Sequence, residues 1–170
     1  MVSWIKFGVI LLSSVSLMMA AISIPQGKLE QLASWHALPT VRICSNTPIS
    51  EHRVEEALDF WRALGYEFGT VVYNDETDWC YGSTYFGSIV IMPNQSPFNG
   101  QTLAQTQRIA YNELVVGAKI EIRADSYDRP LLLEHELGHA LGWPHYNGEG
   151  HIMHRAVNKS GKSCKGLKKS

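Results

Sequence analysis

Residues 135 to 145 read His-Glu-Leu-Gly-His-Ala-Leu-Gly-Trp-Pro-His. Three imidazoles and one carboxylate at these offsets are the side chains a catalytic metal needs. His135 and His139 are four residues apart, so on a helix they project from one face, one turn apart. Two neutral imidazoles placed that way can grip one zinc ion at about 2.0–2.1 Å. Gly142 can adopt the left-handed backbone that ends a helix, letting the chain turn back and deliver His145 as a third ligand. Three protein ligands leave the fourth tetrahedral position to water, which is how a catalytic zinc differs from a structural one. Glu136, next to the first ligand, suits a general base for that water.

The flanks suit a buried helix. Leu131, Leu132, Leu133, Leu137, Ala140 and Leu141 supply its apolar body. Pro130 is expected in the first turn, where a missing N–H costs little, with Asp128 or Ser126 as the cap. A second element follows at a defined distance: Met153 lies eight residues after His145, in Gly150-His151-Ile152-Met153-His154. With the motif H-E-x-x-H-x-x-G-x-x-H and this methionine, the chain resembles the metzincin zinc endopeptidases, closest to the matrixin branch. In that family a tight turn places the methionine beneath the metal, so the resemblance gives Met153 a supporting role. His154 stands where many relatives have Tyr or Asn. No Cys-bearing propeptide segment of the kind that silences many matrixins is seen, nor a ligand set for their second zinc. The strong resemblance spans residues 130–154; for the rest it rests on the order of elements.

That order can be read along the chain. Val41–Cys44 is expected as a short strand. Thr47-Pro48 or Ser50 then opens a helix in which Val54, Ala57, Leu58, Trp61 and Leu64 form an apolar stripe ending at Gly65. Phe68–Tyr73 reads as a second strand and Asn74–Ser83 as a loop. Asp75, Glu76 and Asp78 in that loop are clustered oxygens of the kind calcium accepts, although without the spacing of an EF-hand. Ser88–Met92 is a third strand, Gln107–Leu114 a fourth and Ala118–Ala124 a fifth. The expected class is α+β: a twisted, mostly parallel five-stranded sheet in a three-layer upper subdomain, two long helices and a small irregular C-terminal subdomain. By resemblance, the fourth strand is an antiparallel edge on which a peptide substrate adds as a further strand, here Arg108 to Asn112. The wall of the specificity pocket is expected from Met153 to Asn158.

The 170 residues allow one domain with a real core. Lys6 is the only charge before a run from Phe7 to Ile22 broken only by serines, a pattern of signal peptides. Residues 1–23 are therefore expected to be a signal peptide, or a signal anchor if uncleaved. Residues 24–39 form a short N-terminal segment, in which Trp35 and His36 are candidate contacts for blocking the cleft. Residues 40–154 are the metzincin-like catalytic domain, and 155–170 a basic tail. The protein is thus expected outside the cytoplasm, secreted or held by that one segment. In an oxidising compartment the three cysteines should give one disulfide, with Cys44 and Cys80 as the expected pair and Cys164 left over. All 16 acidic residues precede residue 155, whereas six of the 15 basic ones (Arg155, Lys159, Lys162, Lys165, Lys168 and Lys169) follow residue 154. That end is expected to be solvated.

The expected function is a secreted zinc endopeptidase with one catalytic zinc on His135, His139 and His145 and Glu136 as base. It would act as a monomer on a peptide or protein, with no nucleic acid partner. Two rivals use the same site: a zinc hydrolase of a non-protein amide such as a cell-wall peptide, and a silent zinc-binding protein. His151 and His154 are close enough in sequence to donate to an oxyanion.

Overall fold

The computed structural model describes residues 29–81 and 85–169. The expected signal segment lies outside the described residues. Among those residues no helix is long and apolar enough to cross a membrane.

The elements in chain order are β1 (Ser34–Trp35), β2 (Thr40–Cys44), α1 (Glu51–Arg62), β3 (Val71–Asp75), β4 (Ser88–Pro93), β5 (Ala104–Tyr111), β6 (Leu114–Ile122) and α2 (Leu132–Ala140). Strands β3, β2, β4 and β6 lie side by side in parallel, and β5 closes the row antiparallel to β6. The α+β class and the mostly parallel sheet are as expected. The sheet has six strands and not five, because Ser34 and Trp35 pair in parallel with Leu114 and Val115. A two-residue strand carries too little alternation to stand out from a loop.

The boundaries of the last two strands also differ from expectation. The edge strand runs from Ala104 to Tyr111, and Asn112 belongs to a two-residue turn with Glu113. Both turn residues have positive φ, +46° and +65°, the geometry of a tight hairpin turn that matches the strand twist. Glycine usually marks such a turn, and this one has none. The second expected strand likewise begins later, at Val71.

Strand β4 explains the layering. Ile89 and Ile91 join the main core under the helices, while Val90 and Met92 join a second cluster with Cys44, Cys80 and Tyr85. A strand covered on both faces reads as a continuous apolar run. The second cover is the loop after β3, stapled by the Cys44–Cys80 disulfide with Cα atoms 5.6 Å apart. Closing a loop of 36 residues is worth about 4 kcal/mol in the chain-entropy view. The calcium expectation at Asp75, Glu76 and Asp78 finds no support. Asp75 is buried, pairs with Arg42 at 2.8 Å and accepts the Thr77 N–H at 2.9 Å.

Helix α1 starts at Ser50, whose hydroxyl accepts the Arg53 N–H at 3.2 Å. Val54, Ala57, Leu58 and Trp61 are buried, and the helix terminates before Gly65 at φ +91°. It clamps α2 in two ways. Arg53 grips both carboxylate oxygens of Glu134, and the Trp61 indole N–H donates to the Glu134 carbonyl at 2.8 Å. Helix α2 begins after Leu131 in a left-handed conformation, with no side-chain cap. Pro130 therefore precedes the helix, and neither Asp128 nor Ser126 caps it; the Ser126 hydroxyl donates to Asp125.

The six basic side chains of the C-terminal segment are exposed, as expected, but its backbone does not hang free. Residues 155–169 fold back onto the domain. Leu167 is fully buried in the main core, worth about 1.5–3 kcal/mol for a side chain of its size. Ile152 N–H donates to Ser163 O at 2.8 Å, and Ser163 N–H donates to Gly150 O at 3.0 Å. Many lysines outweigh one leucine in composition, so the buried contact is hard to see in the sequence.

Candidate metal centre

Helix α2 presents His135 and His139 on one face, as the four-residue spacing requires. Gly142 at φ +103° then reverses the chain. A Cβ there would collide with the Ala33 carbonyl, so the turn needs glycine twice, for conformation and for space. Gly142→Ala should destabilise the fold by about 3 kcal/mol or more, read as a lower midpoint in urea. An unchanged midpoint would show that the turn relaxes freely.

The reversal brings His145 to its partners. Nε2 of His139 lies 3.0 Å from Nε2 of His135 and 3.2 Å from Nε2 of His145. Two nitrogens each about 2.0–2.1 Å from a tetrahedral ion are about 3.3–3.4 Å apart. The separations of 3.0 Å and 3.2 Å are close to what one ion requires, all three nitrogens lie within 4.8 Å of one another, and among the described residues this is the group of side chains that could hold a metal.

Backbone carbonyls set the tautomers. The Nδ1–H of His135 donates to Ile152 O at 2.7 Å, and that of His139 to Trp143 O at 2.8 Å. Both leave Nε2 with a free lone pair, the arrangement that orients ligating histidines elsewhere. Burial disfavours the charged imidazoles: it is the largest cause holding His139 down at about 3 and His145 at about 4, with the neighbouring His135 adding to both. The neutral form is the ligating one.

The residues around the turn at Met153 hold this geometry. Met153 is fully buried against α2 at Gly138, where a Cβ would strike its sulfur and lie 2.7 Å from Trp61 Cζ2. Its carbonyl accepts the Tyr146 N–H at 2.8 Å. His151 is buried, accepts the Met153 N–H on Nδ1 at 3.0 Å and donates from Nε2 to Lys165 O at 3.2 Å. His154 Nδ1 accepts the Ala156 N–H at 2.9 Å. His151 thus fastens this turn to the C-terminal segment, and both its ring nitrogens are engaged, which removes it as an oxyanion donor. Trp143 is likewise internal, donating to the Tyr66 hydroxyl at 2.8 Å.

Glu136 is buried beside the cluster. Thr106 on β5 donates its hydroxyl to Glu136 Oε2 at 2.5 Å. Burial pushes the carboxyl up to about 7, and the Thr106 hydrogen bond opposes that rise. A cation held by the three imidazoles would favour the ionised form further. Arg108, two residues along β5, donates to His139 O at 2.6 Å and so ties the edge strand to the last turn of α2. The sequence reading placed Arg108 on the edge strand but missed Thr106, whose only signal is that it lies on the same strand.

Two openings meet at this centre. One, of about 410 Å³, runs along Gln105, Thr106 and Arg108 to His139 and His145. The other, of about 830 Å³, reaches from Gly100–Ala104 past His135 and Glu136 to Arg155, Ala156 and Asn158. Of the segment from Met153 to Asn158, Arg155, Ala156 and Asn158 line this opening. The expected blocking contacts are not in place. Trp35 donates to Ala140 O at 3.0 Å, and it and His36 line a separate pocket with Tyr66 and Lys169. No protein-family model matches the chain, and no curated protein matches it.

Proposed function

We propose that the chain is a secreted zinc-dependent endopeptidase of the metzincin type, resembling matrixins. The observation that carries this reading is the convergence of three Nε2 atoms beside a buried carboxylate, facing a cleft bordered by an open sheet edge. Zinc suits an all-imidazole donor set of this spacing, and when bound it supplies a Lewis acid and a lowered water pKa.

The chain's own residues supply the remaining steps. Strand β5 pairs with β6 on one side, and among the described residues its other edge carries no strand. An extended peptide adds there through main-chain hydrogen bonds, its scissile carbonyl set beside His135 and His145. Glu136 accepts the proton of the attacking water and returns it to the leaving amine. Thr106 fixes which carboxylate oxygen faces the reaction by occupying Oε2. The disulfide fits an oxidising compartment, which agrees with the expected signal segment.

The test is cleavage of casein and of a quenched peptide library by the purified protein. Activity should disappear with a chelator and return on adding zinc. Cleavage that ignores the chelator, or no cleavage by zinc-loaded protein, would overturn the proposal.

A further inference from the structure

The larger opening is charged in a way that amide hydrolysis does not require. Arg123 follows β6, Arg129 lies in the turn before α2, and Arg155 follows the turn at Met153. These three separate segments each place an arginine on the lining of one cavity, with Arg129 also bordering Asp125 and Asp128 on a neighbouring opening. Glu136 is the one carboxylate among its lining residues. Arg123 is engaged by Asp125 at 2.6 Å. Arg129 and Arg155 are exposed and make no side-chain ion pair among the described residues.

Like charges gathered in a cleft repel one another and focus a positive potential on whatever enters. A carboxylate entering from outside would relieve that repulsion and accept charge-assisted hydrogen bonds from the guanidinium forks. Gln101, Thr102 and Asn158 in the lining can hydrogen-bond an occupant but carry no charge. Leu103, Leu132 and Ala156 can flank the stem of a side chain, but they do not account for the arginines. The cavity opens directly onto His135, Glu136 and His145, so its occupant sits next to the bond being cut.

We infer that this pocket takes an acidic side chain, Asp or Glu, from a peptide substrate at a residue flanking the cleaved bond. This names the substrate class of the site and rests on the peptidase reading. The two can be tested apart, because binding does not need turnover.

The experiment measures binding of labelled Ala/Gly decapeptides to zinc-loaded Glu136→Gln protein. Each peptide carries a single Glu, Gln, Leu or Lys, placed in turn at every position. The Glu peptide should bind about ten- to a hundredfold more tightly than its Gln counterpart at one position, with the gap narrowing as salt is raised. Arg129→Glu combined with Arg155→Glu should remove that preference and favour Lys. Both arginines are exposed, so the variant is expected to fold. Equal affinity for Glu and Gln at every position, a preference for Leu, or no binding would overturn the inference. Acid-selective binding by a protein whose wild-type form never cuts these peptides would instead overturn the peptidase reading and leave the acid-binding pocket standing.

Discussion

Glu136→Gln is expected to lower turnover by a factor on the order of 10²–10⁴, the usual contribution of a positioned acid–base group, with zinc content unchanged. The substitution keeps the shape of the side chain and an oxygen that can still accept from Thr106, which donates to Oε2 at 2.5 Å. It removes only the ability to take a proton. Metal retention should survive because Glu136 is not among the three converging nitrogens. Helix α2 should survive because its clamp is Glu134, held by Arg53 and Trp61. Turnover with a peptide substrate and metal content by atomic absorption give the two readouts. Undiminished turnover would remove Glu136 as base, whereas loss of zinc would mean that the carboxylate also serves the metal.

The burial of Glu136 gives the prediction its physical basis. A fully solvated carboxylate is a weak base at neutral pH. Burial raises the Glu136 carboxyl, and a cation on the three imidazoles would oppose that rise and favour the ionised, proton-accepting form. Thr106 limits the rise, and the same hydrogen bond holds the side chain in one orientation. A single edge-strand residue, Thr106, therefore links the open edge of β5 to the protonation of Glu136.

The parts of this centre that were legible in the sequence are local. His135 and His139 follow from the helical repeat. His145 follows from a glycine whose φ of +103° permits the reversal. The apolar stripe of Val54, Ala57, Leu58 and Trp61 in α1 and the apolar run of β4 are also local patterns, and both appear where expected, whereas Leu64 lies beyond the end of the helix. What escaped notice depends on distant partners. Thr106 reaches Glu136 across 30 residues and Arg53 reaches Glu134 across 81. The hairpin at Asn112-Glu113 lacks the glycine that would announce it. His151 looks in sequence like a surface histidine, yet its two ring nitrogens join Met153 to Lys165. The C-terminal residues show the same limit, since Leu167 has meaning only once the core it enters is known.

The second large effect belongs to His139. Its Nε2 is the atom within 3.0 Å and 3.2 Å of the other two, so it holds the middle of the cluster. His139→Ala leaves two imidazoles, and zinc affinity should fall by more than about a hundredfold, beyond the loss typical of removing an outer hydrogen-bond partner. Stability should register the same change. A ligand present at a hundred times its dissociation constant stabilises the folded state by about 2.7 kcal/mol. The wild-type unfolding midpoint should therefore rise with added zinc, and that of the variant should hardly move. Removing His139 also frees the Trp143 carbonyl, which it holds at 2.8 Å, so the variant should be somewhat less stable even with a chelator present. Comparing both proteins with and without zinc separates the two effects. A zinc-dependent rise as large in the variant as in the wild type would show that the metal binds elsewhere, and the three-histidine assignment would fall.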